Sequence, residues 1–131
     1  MTARVDPILP GLNDDLASLK ELIQAIADAG ARQVTSSTFK PVRGTFKLMA
    51  QEAPDLYETV RPAYGGAKWV GGYLYLPAER RYELMRAVRD LAVRAGLEFA
   101  VCREGFPDLN STICDGTAYI RAGSRGIMSF F

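Results

Sequence analysis

Three segments at the start of the chain follow one another with only turn residues between them, and they constrain the fold more than anything else in it. Ala3 to Leu9 is an apolar run interrupted only by Arg4 and Asp6, and it ends at Pro10-Gly11. This pattern predicts a strand entering a turn. Asn13 and Asp14 are suited to cap a helix N-terminus. Leu16, Leu19, Leu22, Ile23 and Ile26 then recur at helical spacing, and Gly30 is placed to end that helix. Gln33 to Phe39, rich in Val, Thr and Ser, predicts a second strand. Strand, helix and strand in this order make a βαβ unit. Such units are right-handed and build parallel sheets with helices packed outside.

The remainder extends the same plan. Thr45 to Ala53 and Asp55 to Val60 predict two short helices divided by Pro54, a natural first-turn residue. Ala63 to Gly72 holds four glycines and the single tryptophan and predicts a loop, with Tyr73 to Leu76 briefly extended. Pro77 opens a helix with a buried stripe of Leu84, Met85, Val88, Leu91 and Ala92, ended by Gly96, and Leu97 to Cys102 predicts a third strand. From Arg103 to Ile120 the chain is turn-rich. The expected fold class is therefore α/β: about three parallel strands with outer helices, half of a parallel (β/α) barrel, plus an irregular C-terminal extension. Residues 1–120 are read as one domain and 121–131 as a loosely held tail. Three strands cannot close a barrel, and their open edges call for a cover, a mate or more chain.

Bulk properties exclude more than they identify. In 131 residues the net charge is +1, so no strong non-specific attraction to nucleic acid is expected. No run of about eighteen apolar residues is present to span a membrane, and Met1 to Val5 has no signal-peptide character. A cytoplasmic protein is the default expectation. The chain has no histidine, which excludes Ser–His and Cys–His nucleophilic pairs and any histidine-bearing zinc site.

Several positions could carry chemistry. Arg4 and Asp6 share one face of the first strand. They form either an internal ion pair or a polar lining at a barrel centre, and spacing alone does not separate the two. Pro10, Gly11, Asn13 and Asp14 lie at the carboxyl end of that strand, where α/β folds place ligand sites. A plain strand-to-helix turn is the simpler alternative. Gln33, Thr35 and Ser37 give the second strand a polar face, unusual for a parallel strand, which suggests that this face meets water or a polar ligand. Lys40, just beyond, would suit a carboxylate or phosphate, or would simply be a solvated lysine. Cys102 and Cys114 are twelve apart, matching no standard zinc spacing. They read as one strand and one loop cysteine, as a disulfide, or as part of a metal or cluster site completed by another chain. Arg103, Glu104 and Asp115 add charge to that corner.

Taken together, these islands resemble a known group. Arg4-Val5-Asp6-Pro7-Ile8-Leu9-Pro10-Gly11-Leu12-Asn13-Asp14 resembles a barrel-strand motif of radical S-adenosylmethionine (SAM) proteins related to spore photoproduct lyase, the DNA repair photolyase-like group. Thr35-Ser36-Ser37-Thr38-Phe39-Lys40 is similar to the next strand in that group. Gly72 to Pro77, Arg81-Tyr82-Glu83-Leu84, Cys102 to Phe106, Leu109-Asn110 and Cys114-Asp115-Gly116 resemble its archaeal members. The resemblance implies the last two strands of a partial barrel. It also implies that Arg4, Asp6, Pro10, Gly11, Asn13, Asp14, Ser37 and Lys40 face SAM or substrate. The family's CxxxCxxC loop, which carries a 4Fe–4S cluster, is absent, so the chain is not expected to generate a radical alone.

The resemblance therefore implies the C-terminal part of a radical SAM-type iron–sulfur enzyme. Its partner would be the N-terminal half of the barrel, an upstream segment or a separate subunit, and its substrate would be nucleic acid or another molecule. The alternative is a stand-alone, non-catalytic half-barrel that pairs with a homodimer mate and binds a small anionic ligand. A third reading has Cys102 and Cys114 sequestering metal across a dimer.

Overall fold

The structure, a computed structural model, describes residues 1–112 together with the backbone of Ile127–Ser129. Strand β1 (Thr2–Ile8) leads through the Pro10–Asp14 turn into helix α1 (Leu16–Asp28), and strand β2 (Gln33–Thr38) follows. The βαβ unit thus forms as its hydrophobic spacing predicts. Helices α2 (Thr45–Glu52) and α3 (Pro54–Val60) come next, with Pro54 opening the second, and a 3-10 turn covers Arg61–Tyr64. Strands β3 (Lys68–Val70) and β4 (Tyr73–Tyr75) form an antiparallel hairpin. Helix α4 (Ala78–Arg94) and strand β5 (Glu98–Val101) complete a second crossover, and β6 (Ile127–Ser129) is the final strand.

Four strands make the main sheet, in the order β5-β2-β1-β6, all parallel. The chain is α/β. Pairing of Arg4 with Thr35 and of Val5 with Ser36 sets the register, and Thr35 and Ser36 oppose Ala100 and Val101 on β5. Strand alternation therefore sorts the side chains into two faces. Ala3, Val5, Val34, Phe99 and Val101 lie on one face and are buried with Leu19, Ile23 and Ile26 of α1 and Leu84, Met85, Val88 and Ala92 of α4. Each of these large aliphatic side chains contributes about 1.5–3 kcal/mol by leaving water. Ser36 also lies on the helix-covered face, and its hydroxyl is satisfied by donating to the Val5 carbonyl at 2.6 Å.

Four sequence expectations change. The N-cap of α1 is Asp15, whose carboxylate accepts from the Ser18 amide at 3.0 Å, and not Asn13 or Asp14. Those two are drawn into the preceding turn instead. The glycine-rich stretch read as a loop contains β3, because Gly71 and Gly72, both at positive φ, reverse the chain into a hairpin. Leu16, expected in the buried stripe of α1, is exposed at the start of the helix. The polar face of β2 does not meet bulk water along its length, since Gln33 and Thr35 are buried. Of the segment read as a loose tail, Ile127–Ser129 pairs with Thr2–Arg4 of β1, and the rest lies outside the described residues.

Gly11 is one position where the backbone demands glycine. Its φ is +82°, and a Cβ there would stand 2.9 Å from the Thr59 carbonyl oxygen. The turn is thereby pressed against α3. Gly11→Ala is expected to lower stability by about 1–3 kcal/mol, read as a shift in the urea midpoint at unchanged m-value. A shift indistinguishable from zero would mean that the loop moves freely away from Thr59.

Candidate functional site

Alternation places Thr2, Arg4, Gln33, Thr35 and Ala100 on the face of the sheet opposite α1 and α4. Near the amino end of this face Thr2, Gln33, Thr35 and Ala100 are closed off from solvent. Toward the carboxyl ends of the strands it opens, and four half-buried residues meet there: Arg4, Asp6, Ser37 and Cys102. Arg4 donates from Nη2 to Asp6 Oδ2 at 2.6 Å, and Ser37 Oγ donates to the same oxygen at 3.2 Å. The Arg4 pKa is raised above its ordinary value, first by the hydrogen bond to Asp6 against the opposing effect of burial, and further by the nearby Cys102 side chain. One carboxylate, one guanidinium, one hydroxyl and one thiol are thus gathered from three neighbouring strand ends. Arg4 and Asp6 do form the ion pair that their spacing allowed, and they retain exposure of 27% and 15%.

The turn at the end of β1 is a different kind of structure. Asn13 uses both ends of its amide internally: Oδ1 accepts from the Leu9 amide at 2.6 Å, and Nδ2 donates to the Pro7 carbonyl at 3.1 Å. Asp14 accepts from the Gly11 amide at 3.1 Å and pairs with Arg80 of α4 at 3.3 Å. Pro10 is buried, and Leu12 is exposed at the tip. The side chains of Asn13 and Asp14 therefore hold the turn in shape and dock it on α4. None of the four turn residues joins the Arg4–Asp6–Ser37 group through a hydrogen bond.

Lys40 belongs to a third environment. Its ammonium lies 2.8 Å from Glu104, with the two side chains 7% and 0% exposed. The Glu104 carboxylate also accepts from the Thr38 amide at 2.7 Å and from the Thr38 hydroxyl at 3.1 Å, and Arg81 of α4 stands 3.6 Å away. Arg81 donates in addition to the Leu76 and Glu104 carbonyls. Burial lowers the Lys40 pKa, and the hydrogen bond to Glu104 opposes that shift. The chain reaches this arrangement through a sharp turn, with Arg103 at φ +61° and Gly105 at φ +77°, between which Glu104 points back into the core. Arg103 itself stacks on the Tyr73 ring at 4.4 Å.

Of the residues singled out from the sequence, the structure thus joins Arg4, Asp6, Ser37 and Cys102. It keeps Pro10, Gly11, Asn13 and Asp14 in a self-contained turn and commits Lys40 to a buried ion cage. Cys114 lies outside the described residues. Among the described residues no group of three or more His, Cys, Asp or Glu side chains is assembled to hold a metal ion. Sequence reading missed the cage, because Thr38, Lys40, Arg81 and Glu104 come from three separate parts of the chain. The one available signal was an acidic residue following a strand cysteine and two cations elsewhere. The hairpin aromatics divide: Tyr73 and Tyr75 are half-buried against cations, while Trp69 is exposed with Arg43 stacked 4.4 Å from its ring centre. No described helix is long and apolar enough to cross a membrane.

Comparisons of the chain with family models, with curated proteins and with solved structures found no match.

Proposed function

We propose that the chain is the C-terminal part of a radical SAM-type barrel of the DNA repair photolyase-like group, forming the wall that faces SAM and substrate. One observation carries this reading most of the way. The sheet is covered by helices on one face, and on its other face Arg4, Asp6, Ser37 and Cys102 stay half-exposed toward the carboxyl ends of the parallel strands, while Thr2, Gln33, Thr35 and Ala100 beneath them are buried. Parallel α/β folds of either open or closed form put ligands there. Strands β1, β2 and β5 also neighbour one another in chain order, as successive strands of a barrel do.

The residues fit one part of the implied cofactor set and not the other. Arg4, Asp6 and Ser37 offer a cation, a carboxylate and a hydroxyl, which suit the amino-acid end and the hydroxyl groups of SAM. When bound to a reduced cluster, SAM supplies a 5′-deoxyadenosyl radical. The iron–sulfur cluster does not fit this chain: the sequence holds two cysteines twelve residues apart and no CxxxCxxC, so its thiolates must come from elsewhere. What the chain itself does is bind and orient. The Arg4–Asp6 pair is held on rigid strands, so a ligand meets a fixed array of charge instead of having to order it. The anion-binding alternative is less well served, because Lys40 is neutralised by Glu104.

The test is equilibrium dialysis with labelled SAM, using the chain reconstituted with a CxxxCxxC-bearing half. Arg4→Ala and Asp6→Asn are each expected to weaken binding at least about tenfold, the loss of one charge-assisted hydrogen bond, with circular dichroism unchanged. Equal binding by the variants, or no binding by the reconstituted pair, would remove the basis of the reading.

A further inference from the structure

The two edges of the main sheet are closed in different ways. At the β5 edge, Val101 N donates to Asn110 Oδ1 at 2.7 Å, Phe99 N donates to Ser111 Oγ at 2.8 Å, and Ser111 N donates to the Phe99 carbonyl at 2.7 Å. The Leu109–Ser111 segment therefore takes the hydrogen-bonding groups that another strand would use. It is continuous in sequence with β5 and anchored by the buried Leu109. That edge is sealed.

At the β1 edge the cover is slight. Strand β1 has seven residues and β6 has three, and their pairing runs only from Thr2 to Arg4. Among the described residues, nothing pairs with β1 on this side beyond Arg4. Strand β6 is parallel to β1, the orientation of every other pair in the sheet. It therefore sits where a neighbouring barrel strand would sit, in the same direction, on a shorter length.

We infer that the β1 edge is the docking edge of this protein and that β6 is a removable guard on it, displaced when a longer parallel strand of the other barrel half pairs with β1. This rests on the barrel reading above and adds to it the surface at which the halves join. The occupant is specified by the edge itself. A strand that continues the barrel runs parallel to β1, as every pair in the sheet does, β6 included. It must also pass Arg4 to gain more than β6 already supplies. An exposed strand edge is adhesive, which gives a three-residue guard a purpose in the free chain. A guard seated about nine-tenths of the time weakens an incoming strand about tenfold, because only the unguarded fraction is competent.

The experiment compares the full chain with a version ending at Gly126 and with full-length Met128→Pro, in which the strand N–H is lost without shortening the chain. Affinity for the separately produced CxxxCxxC-bearing half is read by titration calorimetry, and association of the chain with itself by light scattering. Both altered chains should bind the half about tenfold more tightly than the full chain, with their Thr2 and Arg4 amides protected from hydrogen exchange in the complex and not in the free altered chains. Equal affinities would overturn the guard and leave the barrel reading standing. If no form binds the half, the barrel reading fails. In that case self-association of the altered chains with the Thr2 and Arg4 amides protected still supports an adhesive guarded edge, and monomeric altered chains overturn it.

Discussion

Replacing Glu104 with alanine is expected to destabilise the protein by about 3–5 kcal/mol, the usual consequence of removing one member of a buried ion pair. The carboxylate is fully buried and satisfies the Thr38 amide, the Thr38 hydroxyl and the Lys40 ammonium together. Alanine leaves the buried Thr38 N–H without its acceptor and the buried Lys40 ammonium without its counter-charge, with only the Thr38 carbonyl and hydroxyl to accept from it, so much of the desolvation cost is uncompensated. Because Arg81 binds the Glu104 carbonyl as well as facing its carboxylate, part of its anchorage survives. Glu104→Gln should cost less than alanine, since the amide oxygen can still accept from Thr38. The decisive measurement is a double-mutant cycle in urea. Lys40→Met combined with Glu104→Leu should lose less than the two single changes added together. Additive losses, or a Glu104→Ala cost below about 1 kcal/mol, would show that the cage does not hold the strand ends together.

Phe99→Ala is expected to cost a further distinct amount, about 3–5 kcal/mol by lost transfer free energy and the cavity left behind. Among the described residues Phe99 is the largest fully buried side chain, and it lies on the helix-facing side of β5 among the residues packed with α4. Its backbone amide and carbonyl both meet Ser111, so the residue is pinned and the surroundings have little freedom to collapse into the void. A small domain holds about 5–15 kcal/mol in all, so this variant should show a sharply lowered melting temperature. Phe99→Leu, which keeps most of the volume, should recover the larger share. Similar melting temperatures for the alanine variant and the native chain would mean that β5 is not part of the cooperative core.

These two residues also mark where sequence reasoning works and where it stops. Phe99 was legible: it lies in the apolar run Leu97 to Cys102, after a helix with an apolar stripe, and local periodicity is enough to place it inside. The same holds for Ile23, Val34 and Val88. Glu104 was not legible as the centre of anything. Its partners lie more than sixty residues away at Thr38 and within the first turns of α4, and no spacing rule connects them.

The Arg4–Asp6 pair stands between these cases. Strand alternation put both charges on one face, but whether they would meet each other or a ligand depended on what lay opposite. Ser37 and Cys102, arriving from β2 and from beyond β5, decided that. Asn13 and Asp14 show the reverse. Their composition suited a helix cap, yet the close approach of Gly11 to Thr59 and the reach of Arg80 from α4 made them turn braces instead.

What the sequence determined by itself was the order β1, α1, β2, α2, α3, α4, β5 and the choice of buried face, because periods of 2 and 3.6 are local properties of the backbone, whereas β3 and β6 carry no such period. Only the tertiary structure decided which polar residues are spent on the fold and which stay available. A charge is committed by whatever cation, carbonyl or amide the folded chain brings within about 3 Å of it, and that is a matter of topology. Lys40 was committed in this way to Glu104, while Arg4 and Asp6 were left half-open at the strand ends.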